Sequence, residues 1–219
     1  MSISSKDIVD AQLHIGTLKN EAHPKTNKYW AEVVNGLVVI NPETIQQQLE
    51  TAKAKVQKAK QEGKEILVVS EKKMFAEDLE KLWAQYGVNY LNYKVPGGFL
   101  TNFDTLKKRI ESMNSMERFL ETDAYRALTK KEQLVYKRKL ARVFKIYKWV
   151  KDLSKKPDLV IVVDAVMMDN FVAEVAKQKL DSIMICGTNF KRWWPEESMI
   201  VANINSHKAL DTILKTILS

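Results

Sequence analysis

The sequence predicts a three-layer α/β fold, a parallel sheet covered by helices on both faces, with an antiparallel pair of helices inserted into it. Three observations predict this. Short apolar runs alternate with stretches of helical periodicity, the pattern of a parallel sheet buried on both sides. Helix-terminal residues stand where that alternation needs them: Asn41 then Pro42 read as an N-cap and first helical position, and Gly63 and Gly87 as left-handed residues just past helix ends. Residues 101–156 interrupt the alternation with two amphipathic helices in succession.

In chain order, Val33 and Val34, the Asn35-Gly36 pair and the apolar run Leu37–Ile40 predict a β-hairpin closed by a tight turn. A helix over 42–62 leads to a strand over 65–70 (EILVVS), a helix over 73–86 and a strand over 88–92. Beyond the interruption come a strand over 158–163 (DLVIVV), a helix over 169–179, strands over 182–186 (SIMIC) and 198–202 (SMIVA), and a helix over 205–218. The insert thus falls between the second and third parallel strands. The expected organisation is one core domain of residues 1–100 and 157–219 with an arm of residues 101–156.

Within the arm, Phe103, Leu106, Ile110 and Met113 recur at helical spacing, extended by Met116 and Leu120. Glu121, Thr122 and Asp123 end that pattern. Thr129 and Glu132 form a capping box that opens a second helix, whose seam runs through Tyr136, Leu140, Val143, Tyr147 and Val150 at coiled-coil spacing. Taken as one helix over 129–153, it would extend about 37 Å at about 1.5 Å per residue.

The chain of 219 residues has a formal net charge of +8, and its location matters more than its size. Residues 101–156 hold 16 basic against 7 acidic residues, a net +9, which leaves 19 basic against 20 acidic elsewhere, a net −1. Between Lys130 and Lys151 nine cations face only Glu132. A solvated helix would be better served by mixed signs, so the arm reads as a surface for a polyanion.

Other classes are excluded by composition and motif. With 45% apolar residues and few glycines and prolines the chain can build a core, unlike a disordered or collagen-like sequence. Apolar runs such as Leu159–Val163 are too short to cross a bilayer, and residues 1–10 show neither a basic patch nor an apolar h-region, so a soluble protein without a secretory signal is expected. Cys186, the single cysteine, follows Ile183, Met184 and Ile185 and reads as a buried hydrophobe. His14, His23 and His207 are too scattered for a local zinc pattern, so no metal is expected.

Parallel sheets commonly bind ligands at the C-terminal ends of their strands. Here those ends offer Ser70, Asp164, Gly187, Thr188 and Asn189, with Asp164 the only ionisable group, and neither a GxGxxG nor a GxxxxGK[ST] motif is present. No enzyme and no cofactor are therefore expected. The competing reading, an α/β nucleotide-binding enzyme or module that recruits RNA through the arm, would need a pocket with converging polar groups at Ser70, Asp164 and Asn189.

Several segments resemble the universal small-subunit ribosomal protein S2 family, over nearly the whole chain. His14, Gly16, Pro24, Lys25 and Tyr29 are spaced like that family's opening; Asn35 to Ile40 is similar to its next hairpin. The segment Pro96-Gly97-Gly98-Phe99-Leu100-Thr101-Asn102 resembles its Gly-Gly-x-Leu-Thr-Asn entrance to a helical arm. Leu128 to Glu132 resembles the opening of the second arm helix, and Pro157 to Asp164 the strand that re-enters the sheet. The chain departs from the family at Thr17, Leu18 and Asn20, where a second histidine and basic residues are usual. It departs again after the fourth parallel strand, where the family commonly has Asp-Thr-Asn followed by Asp-Pro and this chain reads Gly187-Thr188-Asn189-Phe190, then Lys191-Arg192-Trp193-Trp194-Pro195, so that only Thr188 and Asn189 match. Those tryptophans would either contact RNA or protein, or cover the end of the sheet.

The resemblance implies a Rossmann- or flavodoxin-like core with a protruding coiled coil, a structural constituent of the small ribosomal subunit bound to rRNA near the junction of head and body. It implies neighbouring small-subunit proteins as partners, no membrane and no homo-oligomer, on a ribosome in the bacterial cytoplasm or, alternatively, the mitochondrial matrix. Lys25, Lys28, Thr101 and Asn102 are the expected RNA contacts outside the arm helices. Within them, Lys107, Lys108, Lys130, Lys131, Lys137, Arg138, Arg142 and Lys145 are expected to neutralise phosphates. Gly97 and Gly98 would let the backbone approach a partner closely before the arm begins.

Overall fold

The computed structural model describes residues 3–151, 153 and 155–219. Five strands, β4 (Ile66–Ser70), β5 (Asn89–Leu91), β6 (Leu159–Val163), β7 (Asp181–Cys186) and β8 (Met199–Val201), form one sheet in the order β5-β4-β6-β7-β8. Every neighbouring pair is parallel. All residues of β4 and β6 are buried, as their unbroken apolar runs require. The five predicted strands are all present, with ends moved by at most one residue.

Helices α2 (Pro42–Gln61), α3 (Ala76–Tyr86), α7 (Asp169–Lys177) and α8 (His207–Leu218) cover the sheet. The β4–α3–β5 crossover steps to one side of β4 and the β6–α7–β7 crossover to the other. Because both turn right-handed, α3 and α7 lie on opposite faces. Asn41 accepts from the N–H of Glu43 and caps α2, while Gly63 and Gly87 adopt φ values of 64° and 65°, the left-handed conformation expected of them.

A second sheet lies beside the first. Strands β1 (Ile15–Leu18), β2 (Trp30–Val34) and β3 (Leu37–Ile40) pair antiparallel in the order β1-β3-β2, and the β2–β3 turn has φ of 49° at Asn35 and 78° at Gly36. The sequence predicts the hairpin but neither β1 nor the short helix α1 (Ser5–Asp10). Thr188, just past β7, clamps this segment to the main sheet. Its hydroxyl accepts from the Thr17 N–H at 2.9 Å, and its carbonyl accepts from the Thr26 hydroxyl at 2.9 Å and the His23 N–H at 2.8 Å. A Cβ on Gly16 would come within 2.8 Å of the Val38 carbonyl, so only glycine allows that approach.

The insert forms α4 (Phe103–Phe119), α5 (Asp123–Arg126) and α6 (Lys130–Tyr147). Tyr136 reaches Met116 with its hydroxyl, and Asn114 donates to the Lys151 carbonyl at 3.2 Å, so α4 and α6 run antiparallel. Buried Ile110, Met113, Leu140 and Tyr147 line their seam and belong to the same apolar cluster as the sheet. Phe119, Tyr125 and Tyr136 form a separate aromatic group at the far end, with ring centroids 5.1 to 5.9 Å apart.

The expected continuous helix over 129–153 is corrected. It stops at Tyr147 and tightens into a single 3₁₀ turn, Lys148–Val150, because Trp149 stacks on Tyr90 of β5 at 5.0 Å and Val150 and Leu153 are buried in the core. Residue 152 of that expected helix lies outside the described residues. The 18 residues of α6 extend about 27 Å rather than about 37 Å. The Thr129–Glu132 capping box is present, and the hydrogen bonds from Thr129 hold the Glu132 carboxyl below the usual range.

Candidate nucleic-acid interface

The arm's charge is organised by helical geometry. At about 100° per residue, Lys131, Arg138, Arg142 and Lys145 fall within about 60° of arc on α6, on the side opposite Leu140 and Tyr147. All four are exposed. They form a cationic stripe about 21 Å long at about 1.5 Å per residue. Lys130 and Lys137, also exposed, flank it. On α4, Lys108 is exposed and Lys107 half-buried. Among the described residues none of these eight makes an ion pair, although the Lys145 ammonium lies over the Tyr93 ring at 4.0 Å and so helps to seat α6 on the core.

The arm's entrance is organised differently from expectation. The carboxylate of Glu174, on α7, accepts from the N–H groups of Gly98 at 2.6 Å, Leu100 at 3.0 Å and Thr101 at 3.4 Å. Gly98 turns the loop with φ of 83°. The backbone that Gly97 and Gly98 free for close approach is therefore met by a carboxylate of the same chain, leaving those N–H groups engaged. Asn102 stands at the N-cap position of α4 but makes no side-chain cap; its carbonyl oxygen accepts from the Thr105 hydroxyl at 2.7 Å. Thr101 and Asn102 both remain exposed. Nothing in the local sequence around Glu174 signals this role, since its partners lie 73 to 76 residues away. Glu174→Ala is expected to destabilise the protein by about 2 kcal/mol, because the N–H groups lose a charged acceptor. A lower urea midpoint would show it, and an unchanged midpoint would refute it.

Lys25 and Lys28 lie away from the arm stripe, by the loop that joins β7 to β8. Lys25 sits 3.4 Å from the carbonyl of Lys191. Lys28 pairs with Glu196, which holds its ammonium pKa up, so its charge is already matched. In the same loop Arg192 makes a two-pronged pair with Asp169 of α7.

At the strand ends, Ser70 and Asp164 both contact Lys72. Lys72, which the sequence reading did not single out, lies 2.9 Å from Asp164 with both side chains largely buried. Asp164 therefore has a partner, contrary to its reading as a lone acid, and its other oxygen accepts from the Met167 N–H at 3.1 Å. Ser70 accepts from the Lys72 N–H at 3.3 Å. Cys186 is buried and burial pushes its thiol pKa up, which makes it an inert core residue. Among the described residues no group of histidine, cysteine and carboxylate side chains is placed to hold a metal ion, and no helix is long and apolar enough to cross a membrane.

A parallel sheet covered by helices, with the positive charge concentrated on an inserted pair of helices, defines the α/β class of this protein. The comparisons agree with that class: the model of the family described as ribosomal protein S2 matches residues 8–219. This chain belongs to the ribosomal protein S2 family. Among its relatives, the small ribosomal subunit protein uS2 of Rippkaea orientalis is 29% identical over 187 residues, covering 85% of this chain and 70% of the relative. The small ribosomal subunit protein uS2 of Fusobacterium nucleatum subsp. nucleatum is 33% identical over 177 residues, covering 78% and 70%.

Proposed function

We propose that this protein is a structural constituent of the small ribosomal subunit, which it serves by binding small-subunit rRNA near the junction of head and body and by touching neighbouring small-subunit proteins. The observation that carries the RNA contact is the stripe of Lys131, Arg138, Arg142 and Lys145, exposed and opposite the buried seam of α6. Residues 101–156 act here as an arm on a core of residues 1–100 and 157–219. The arm's cations neutralise phosphates without reading sequence, and the fit of the helix pair to folded RNA supplies selectivity. Thr101, Asn102, Lys107 and Lys108 extend that contact towards the core, while Lys25 belongs to a separate surface. The names of both relatives support the ribosomal role.

The test is sedimentation of the tagged chain in a native lysate through a sucrose gradient. Recovery with the small-subunit peak is expected. Recovery at the top of the gradient, at a salt concentration that leaves subunits intact, would overturn the proposal.

A further inference from the structure

The loop between β7 and β8 carries a feature that the arm does not account for. Trp193 is 76% exposed, whereas its neighbour Trp194 packs against the core. Trp193 lines two open clefts of about 690 and 630 Å³, so its exposed indole borders free space in both. Among the described residues it is the only exposed large apolar side chain lining either cleft, so they form no contiguous apolar patch there on which a protein partner would pack.

The charges around the ring decide the partner. Lys28 is matched by Glu196, Lys55 by Asp181 and Arg192 by Asp169. Among the described residues that leaves Lys25 and Lys179 lining the clefts without an ion pair, against Glu197 alone, and Lys25 is held beside the carbonyl of Lys191, two residues before Trp193 in the same loop. A single exposed flat aromatic beside an excess of unmatched ammonium groups has the composition of a site for an unpaired nucleotide: the base stacks and the flanking phosphates meet the cations. We infer that Trp193 is a stacking platform for an unpaired RNA base, with Lys25 and Lys191 holding the adjacent phosphates. The arm leaves the sheet at the β5 edge and this loop joins the last two strands at the opposite edge. The inference shares only its class of partner, RNA, with the function proposed above.

Fluorescence anisotropy of the full chain with a labelled single-stranded oligouridylate of about 10 nucleotides tests it. Trp193→Ala is expected to weaken binding about tenfold and Trp193→Phe, which keeps a stacking ring, by no more than about threefold. The double variant Lys25→Ala/Lys191→Ala is expected to reduce the salt dependence by nearly two phosphate contacts. Affinity for a blunt RNA duplex, whose bases are already stacked, is expected to be unchanged by Trp193→Ala. The inference is overturned if the wild-type chain does not bind the single strand. It is equally overturned if Trp193→Ala binds it as well as wild type, including the case in which that variant instead loses a protein neighbour from the subunit. The arm is read separately, through duplex binding by variants of α6, so failure of one interface leaves the other measurable.

Discussion

Replacing Lys131, Arg138 and Arg142 together by glutamine is expected to weaken binding of folded small-subunit rRNA by about 10² to 10³-fold at about 0.1 M salt. The magnitude follows from counterion release: each phosphate contact contributes about 0.9 to the slope of log affinity against log salt, or nearly one decade at that concentration. Removing three contacts should therefore also make the slope shallower by about 2.7. All three side chains are exposed, and none makes an ion pair among the described residues, so the change leaves the packed seam intact. Glutamine is also a good helix former, so α6 should keep its helicity by circular dichroism. Lys145 is left in place because it also contacts Tyr93. Unchanged affinity with an unchanged slope would remove the arm stripe from the interface.

Deleting the insert outright would be a poorer experiment, for a reason the packing makes plain. Phe103, Leu106, Ile110, Met113, Leu140, Tyr147 and Val150 belong to the same buried cluster as the sheet, and Trp149 stacks on Tyr90. A chain lacking 103–153 would expose part of its own core, and lost RNA affinity could then reflect lost folding. Charge removal on the outer face separates the two.

What the sequence made legible follows a physical rule. Patterns set by near neighbours were readable: the apolar runs of β4 and β6, the Asn41 cap, the Asn35-Gly36 turn, the Thr129–Glu132 box and the seams of α4 and α6. Features set by distant partners were not. Strand β1 is four residues of half-exposed chain whose existence depends on pairing with β3, and α6 ends at Tyr147 because Trp149 finds Tyr90. At the candidate site, the charge asymmetry and its helical phase were readable, so the stripe on α6 was identifiable in advance. Charge counting could not foresee which cations are already matched, as Lys28 is by Glu196, nor that Glu174 fills the loop before α4. Trp193 was visible as a residue type, but its exposure depends on which of two adjacent tryptophans turns inward.

Lys72→Ala is expected to destabilise the protein by about 3–5 kcal/mol, the usual cost of leaving one member of a buried ion pair without its partner. Lys72 and Asp164 meet at the C-terminal ends of β4 and β6, between which the sheet's crossovers change direction. That is the position where open parallel sheets usually hold a ligand. Here an ammonium and a carboxylate stand 2.9 Å apart, and Asp164 is held at φ of 65°, a conformation that asparagine tolerates as well as aspartate. Asp164→Asn therefore removes the charge without imposing a new backbone demand, and the double variant Lys72→Met/Asp164→Asn removes both charges while keeping most of the volume. If the ion pair seals the sheet, the double variant should recover much of the stability lost in Lys72→Ala, since an apolar replacement of a whole buried pair is often neutral. Urea midpoints at constant slope measure each member of the set. Equal midpoints for Lys72→Ala and wild type would show that the pair contributes nothing to closure. A double variant no more stable than Lys72→Ala would show that the attraction of the intact pair, rather than the packed stem or the relief of an unpaired charge, carries the stability, because methionine keeps the stem and asparagine removes the charge.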